Sequence, residues 1–275
     1  MRSSATIRQP VILRGIGPFS QRPVRLRLSP APPGTGILLN GVAVCPENAC
    51  VCRHTTGIRM AQSSTVKVVG MVEHLLATCQ GMGVTDLVCE TDDGELPLGD
   101  GSGQIYIAAI RRAGIVKRGN GLVPISLPRP VLVTMGHRFI AAVPAARLRI
   151  SCLVRFPGIG PQFFSFISSP ARFLQELALA RTALPIGRKA VRGQRLAHLA
   201  RRFRLRFRLK RIGGLVLPAR ERFENELCRH KLLDLLGDLA LLGRPLQAEL
   251  FAFQPGHRLN HAFVRLLSKR RCDDH

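Results

Sequence analysis

The chain reads as an α+β protein in which the order strands, helix, strand, helix occurs twice. Three observations lead there. Strand-like and helix-like stretches come in blocks that repeat once. A basic stretch at 115–127, carrying Gly119, Gly121, Pro124 and the start of a proline-punctuated run, separates the two blocks. A length of 275 residues with 46% apolar content is enough for two modest cores. Two similar α+β domains are therefore expected, at 1–120 and 121–275.

The elements follow in order. Residues 7–28 and 37–44 suit strands, broken by Gly15 and Gly17 and by the turn from Pro30 to Gly36. Residues 68–80 suit a helix that carries Glu73 and His74 and is closed by Gly81 and Gly83. A strand at 86–91 turns at Asp92-Asp93-Gly94 into Pro97-Leu98-Gly99-Asp100-Gly101-Ser102, and a helix then runs to about Arg112 and stops at Gly114. Beyond the linker, 129–135, 138–143, 147–155 and 162–168 read as strands. Ser169-Pro170 opens a helix through about Ala180, with proline at its first position. A helix from about Arg222 to Leu242 ends at Gly243, a strand follows at 246–253, and a last helix spans 258–270.

A net charge of +24 points first to nucleic acid or an anionic surface. Its distribution argues otherwise. Thirteen Lys and Arg and no acid lie between Leu177 and Arg220, about half of the excess in one stretch. The acids gather instead at Glu73 to Asp100 and Glu221 to Glu249, where histidines also gather, which favours a cation site. No apolar run is long enough for a membrane span; Leu232 to Leu242 is interrupted by Asp234 and Asp238. The acid-free start reads as the opening of the first domain, because strand-like alternation begins by Thr6. The eight cysteines form no regular framework, so a reduced cytoplasm is expected. Cys50-Val51-Cys52-Arg53-His54, with Cys45 upstream, lacks a standard zinc spacing, and Cys79, Cys89 and Cys228 read as small core residues.

The chemistry concentrates at three places. His230, Asp234 and Asp238 recur at i, i+4, i+8, which stacks an imidazole and two carboxylates on one helical face. Glu73 and His74 are adjacent on a second helix, and Gly256-His257-Arg258-Leu259-Asn260 supplies another imidazole. Two histidines and an aspartate suit a hydrolytic zinc with an open position for water. That leaves Glu73 as candidate base and His257 as candidate acid.

At Val72-Glu73-His74-Leu75, Glu95-Leu96-Pro97-Leu98-Gly99-Asp100-Gly101-Ser102, Arg229-His230-Lys231-Leu232-Leu233-Asp234-Leu235-Leu236-Gly237-Asp238 and Gly256-His257, the chain resembles the UDP-3-O-acyl-N-acetylglucosamine deacetylases, zinc enzymes of lipid A synthesis. The resemblance runs from about Thr6 to Lys269 and implies helices packed between two sheets. It implies that His74, His230 and Asp234 bind Zn2+, that Glu73 is general base and His257 general acid, and that Asp238 is the charge partner of His257. Lys231 and Thr182 would face the developing oxyanion. The substrate would be an acylated UDP-amino sugar. We expect a cytoplasmic bacterial monomer working beside a membrane, with no nucleic-acid partner.

Three departures stand out. The family's Gly-x-Gly-x-His pattern is here Gly15-Ile16-Gly17-Pro18-Phe19, its aromatic after the threonine is Ala183, and Arg201 to Arg211 is alien in composition. That last stretch alternates, with Phe203, Leu205, Phe207 and Leu209 on one face. It supports an alternative from another class: a weakly catalytic relative that binds polyanions through Arg201 to Arg211.

Overall fold

The computed structural model describes residues 3–60, 67–119, 122–185, 209–212 and 215–273. The fold is α+β, with helices packed against sheets. A five-stranded sheet has the order β2-β3-β9-β4-β5, formed by β2 (Val11–Ile16), β3 (Pro23–Pro30), β4 (Ile37–Leu39), β5 (Val42–Ala43) and β9 (Leu87–Thr91). Alternation sets its faces: in β3, Val24, Leu26 and Leu28 are buried while Arg25 and Arg27 point to solvent. β1 (Ala5–Ile7) pairs with β10 (Ile115–Lys117). A small antiparallel sheet, β6 (Ala49–Cys52), β7 (Thr55–Met60) and β8 (Lys67–Val69), completes this part of the chain.

A six-stranded sheet has the order β12-β13-β19-β14-β15, built from β12 (Val131–Met135), β13 (Arg138–Pro144), β14 (Arg149–Phe156), β15 (Gly160–Ile167) and β19 (Leu246–Phe253). β11 (Ile125–Ser126) pairs with β19 in parallel. The stretch read as a linker therefore carries a short strand toward each end. β16 (Leu184–Pro185), β17 (Leu209–Ile212) and β18 (Leu215–Pro218) form a further sheet in the order β16-β18-β17.

The helices position the site. α1 (Glu73–Met82) starts later than 68–80 suggested, because Lys67–Val69 pairs as β8 and Met71 takes a positive φ of 61° that no helix tolerates. Gly83, left-handed at φ 77°, closes it. Gly81 sits inside the helix, and a Cβ there would lie 2.3 Å from the Phe173 ring. α2 (Gln104–Ala113) ends at Gly114 and packs on β2. Ser169 caps α3 (Pro170–Arg172), accepting from the Arg172 amide, and the chain continues as a π-helical turn at Phe173–Leu177 that periodicity did not reveal. α4 (Glu226–Leu239) begins later than Arg222, runs on as a 3-10 turn to Leu242, and ends at left-handed Gly243. α5 (His257–Asp273) closes the chain against α4, β12, β13 and β6.

α1 and α4 are buried on nearly every side, the signature of helices at the centre of a layered fold. They pack directly on each other, and α4 also covers β14 and β15. The contact is backbone to backbone: a Cβ on Gly237 would lie 2.2 Å from the Glu73 carbonyl oxygen. Glycine costs a helix roughly 1 kcal/mol relative to alanine, but only glycine admits this approach. Gly237→Ala should therefore force the two helices apart and destabilise the protein by about 1–3 kcal/mol despite the better helix former. A chemical-denaturation midpoint unchanged or raised in the variant would contradict this.

Candidate active site

α1 and α4 bring their functional side chains together at that crossing. His74 Nε2 and His230 Nε2 lie 3.7 and 3.2 Å from Asp234 Oδ1, and all three residues are buried. One donor atom from each lies within 4.8 Å of the others, the only such metal-capable group of three or more among the described residues. Among the described residues the cysteine-rich segment forms no metal-capable group: Cys50 and Cys52, both on β6, face Gly57 and Thr55 of β7, and Cys79 is a core thiol pushed up to about 12 by burial.

The hydrogen bonding and charge of this trio suit a cation. His230 Nδ1 lies 3.0 Å from the Ala180 carbonyl, which only accepts, so Nδ1 carries the hydrogen. In the neutral ring Nε2 then offers a lone pair directly toward Asp234 Oδ1, which is repulsive unless a positive charge is shared between them. Burial holds His74 below the ordinary imidazole value, in the neutral form that ligates metals. Burial opposes ionisation of Asp234, but Lys231 beside it, helped by the two imidazoles whenever they carry a proton on Nε2, outweighs it and holds the carboxyl well below the usual range. A divalent cation satisfies two neutral imidazoles and an anionic oxygen at once, so the donor set fits zinc. The His230–Ala180 bond is the outer-shell contact that fixes the tautomer of such a ligand.

Ala180 is itself anchored. Its neighbour Arg181 forms a buried ion pair with Glu226 in the first turn of α4, Nε to Oε1 at 2.8 Å and Nη2 to Oε2 at 3.0 Å. Its backbone N–H also donates to Glu226 Oε1.

A second group faces the trio. Glu73 Oε1 is 3.6 Å from His257 Nε2, and Glu73 Oε2 accepts from the Thr56 amide at 3.1 Å. Burial raises the Glu73 carboxyl to about 7, with Asp234 and Asp238 adding to the rise and His257 opposing it. Behind His257 lies Asp238, whose Oδ2 accepts from His257 Nδ1 and Asn260 Nδ2, both at 2.8 Å. Burial disfavours the imidazolium of His257, yet Asp238, Glu73 and Asp234 outweigh it and lift the ring to about 9. His257 in turn holds Asp238 below the ordinary carboxylate value against the effect of burial.

Lys231 Nζ donates to Asp234 Oδ2 at 2.6 Å, and its side chain is 30% exposed. Thr182 lines the same cavity of about 280 Å³ as Glu73, His74, His257 and Lys231. Its amide donates to the Gly101 carbonyl at 2.8 Å, which explains the glycine-rich motif at 97–102: left-handed Gly101 lets the Thr182 loop close in. Glu95, two residues before that motif, accepts from the amides of Phe19 and Ser20 and so fixes the loop at the cavity edge. Phe19 and Ala183, two departures from the family pattern, both line this cavity. Arg201 to Arg208 lie outside the described residues.

Sequence reasoning missed several neighbours. Thr56, Asn260 and His261 are buried against Asp238. His257, Asn260 and His261 fall at i, i+3 and i+4, so their shared helical face is a signal in the sequence for His261. Thr56 offered none. His54 and His137 line an adjoining cleft of about 550 Å³ with Arg138, Lys231 and Arg258.

A family model described as UDP-3-O-acyl N-acetylglycosamine deacetylase matches residues 4–269. Curated relatives carrying the name UDP-3-O-acyl-N-acetylglucosamine deacetylase include one from Solibacter usitatus, 32% identical over 96% of this chain and 90% of the relative. Another, from Chlamydia felis, is 32% identical over 96% of each. A third, from Citrifermentans bemidjiense, is 32% identical over 93% of this chain and 86% of its own length.

Arg181→Met should leave the buried Glu226 carboxylate uncompensated beside the His230 anchor. A loss of about 3–5 kcal/mol in unfolding free energy is expected, and urea denaturation would measure it. A loss within the range of an exposed ion pair, below about 1 kcal/mol, would show that the pair is not buried in solution.

Proposed function

The chain belongs to the UDP-3-O-acyl-N-acetylglucosamine deacetylase family, and on that premise we propose how its own residues carry out the family's hydrolysis. The enzyme removes the N-acetyl group of an acylated UDP-N-acetylglucosamine in lipid A biosynthesis. The observation that carries the residue-level reading is the meeting of His74, His230 and Asp234 with Glu73 and His257, donors from three helices in one buried pocket.

His74, His230 and Asp234 would hold Zn2+. When bound, the metal supplies Lewis acidity and makes water a far stronger acid. Glu73, held near neutrality, takes the proton of the attacking water as it adds to the acetyl carbonyl. Lys231 and the Thr182 hydroxyl offer positive charge and a hydrogen bond to the carbonyl oxygen as it becomes an oxyanion. His257 Nε2 gives its proton to the departing amine, and Asp238 holds the opposite ring nitrogen. Water and amide thus become acetic acid and free amine, which ionise to acetate and ammonium in water, with one proton taken by Glu73 and one given back by His257. The cleft lined by Arg138, Arg258 and Lys231 suits the diphosphate, since three cations converge on it.

The same proposal divides the chain at 120 and 121, an N-terminal domain bearing Glu73 and His74 and a C-terminal one bearing His230, Asp234 and His257. It is supported by the five-stranded sheet using nothing beyond residue 91 and the six-stranded sheet beginning at 125. All five groups come from one chain, which supports a monomer. We place it in the bacterial cytoplasm beside the membrane, without a nucleic-acid partner. Among the described residues, no helix is long and apolar enough to cross a bilayer. The polyanion alternative is not favoured: family membership points to the hydrolase, and Lys210 is paired with Glu221 at 2.9 Å.

Purified protein should bind about one zinc per chain. His230→Ala and Asp234→Ala should each lower occupancy, whereas Glu73→Gln should keep the metal and lose on the order of 10²–10⁴-fold in turnover. Metal analysis and turnover on the same preparations decide this. Unchanged zinc in both ligand variants refutes the ligand set, and full turnover in Glu73→Gln removes the base.

Rate against pH should be bell-shaped. The acid limb belongs to Glu73, which must be ionised. The alkaline limb belongs to His257, whose pKa is raised, so activity is present below about 9 and falls as pH rises through it. Asp238, Glu73 and Asp234 are the charged groups that face the ring. Removing the nearest negative charge in Asp238→Asn should move the alkaline limb to lower pH. An unmoved limb in that variant would assign it to a group other than His257.

A further inference from the structure

Thr56, on β7, touches both halves of the acid–base pair and belongs to neither. It is wholly buried. Its amide donates to Glu73 Oε2 at 3.1 Å, and its carbonyl accepts from the Val72 amide at 3.2 Å, where α1 begins. The first turn of α1 has no side-chain cap, so these two bonds are what fix the entry of the helix and the carboxylate on it. The Thr56 hydroxyl turns the other way, to α4 and α5. It lies in short contact with Asp238 Oδ1, 2.9 Å from His261 Nε2 and 3.1 Å from His257 Nδ1.

Proton counting assigns the roles. An ionised carboxylate only accepts, so the single hydroxyl proton goes to Asp238 Oδ1. The hydroxyl oxygen then accepts from His261 Nε2–H. His257 Nδ1–H is already directed to Asp238 Oδ2, which also takes Asn260 Nδ2–H. Asp238 is thus held at both oxygens, and its only route to β7 is the Thr56 hydroxyl. A carboxylate held at one oxygen alone can pivot and carry the His257 ring with it.

We infer that Thr56 is a positioning residue that registers the base on α1 against the Asp238–His257 pair on α4 and α5. This rests on the roles given above to Glu73 and His257. The backbone half of the device survives any substitution except proline, while the hydroxyl half is removable. Thr56→Val deletes it at nearly constant volume, and Thr56→Ser keeps it.

The test uses the zinc-loaded, full-length enzyme. Thr56→Val should retain one metal per chain and a KM within about twofold, while kcat falls by about 10- to 100-fold, the cost of a small misplacement of reacting groups. Thr56→Ser should recover kcat to within about threefold. In an Asp238→Asn background, Thr56→Val should cost less than about twofold, because the partner through which it acts has been altered. Thr56→Cys, with a weak donor, should lie between Ser and Val, and it serves if the valine variant does not fold. Full kcat in Thr56→Val or Thr56→Cys overturns the inference. So does an equal loss in the Asp238→Asn background, or a serine variant no better than valine. An inactive wild type would instead overturn the catalytic reading itself.

Discussion

The whole site hangs on one close approach, the backbone of α4 at Gly237 against the backbone of α1 at Glu73. No side chain separates the helices there, so residues within a turn of that point on each helix meet directly. His74 follows Glu73 on α1, and Asp234 precedes Gly237 by nearly one turn on α4. A wider crossing would leave the two imidazoles and the carboxylate too far apart to share a cation. The sheets on either side then act as clamps, since both helices are buried on nearly every face and cannot rotate without exposing leucines.

Placing three carboxylates in this interior has an electrostatic consequence. Glu73, Asp234 and Asp238 are all buried, and burial alone would neutralise them. The structure sorts them by neighbour. Asp234 faces Lys231 and two imidazoles and stays ionised. Asp238 accepts hydrogen bonds on both oxygens and stays ionised. Glu73 has one amide and one imidazole, and alone of the three sits near neutrality. A carboxyl that exchanges protons near pH 7, facing an imidazole that holds its proton to about 9, is the asymmetry that acid–base hydrolysis needs.

The positive charge of the chain bears on this site only in part. Lys231, Arg138 and Arg258 reach the adjoining cleft. Other arginines do structural work. Arg181 fixes the loop that carries the His230 anchor, and Arg222 ties Asp100 of the glycine-rich motif to the start of α4 at 2.7 Å. Phe19 and Ala183 line the wall of the cavity into which the donor trio opens. These two departures from the family pattern therefore bear on the shape of the cavity.

By itself the sequence determined the element order, the residue types of the site, and their grouping on helices. Those features are local: i, i+4 spacing puts His230 and Asp234 on one face, alternation sets the faces of β3 and β19, and Gly83, Gly114 and Gly243 stop helices wherever they occur. The resemblance carried the further step of joining His74 to His230 and Asp234. Tertiary structure alone decided the rest. The small sheet β6 to β8, the π-turn at Phe173–Leu177 and the late start of α1 depend on packing partners and on the positive φ of Met71. The approach at Gly237 looks in the sequence like any helical glycine. Thr56 reaches Asp238 across 182 residues, and no local pattern marks a threonine whose two hydrogen-bonding ends face different helices. Contacts at that separation are set by how the layers close, so they become legible only once the chain has folded.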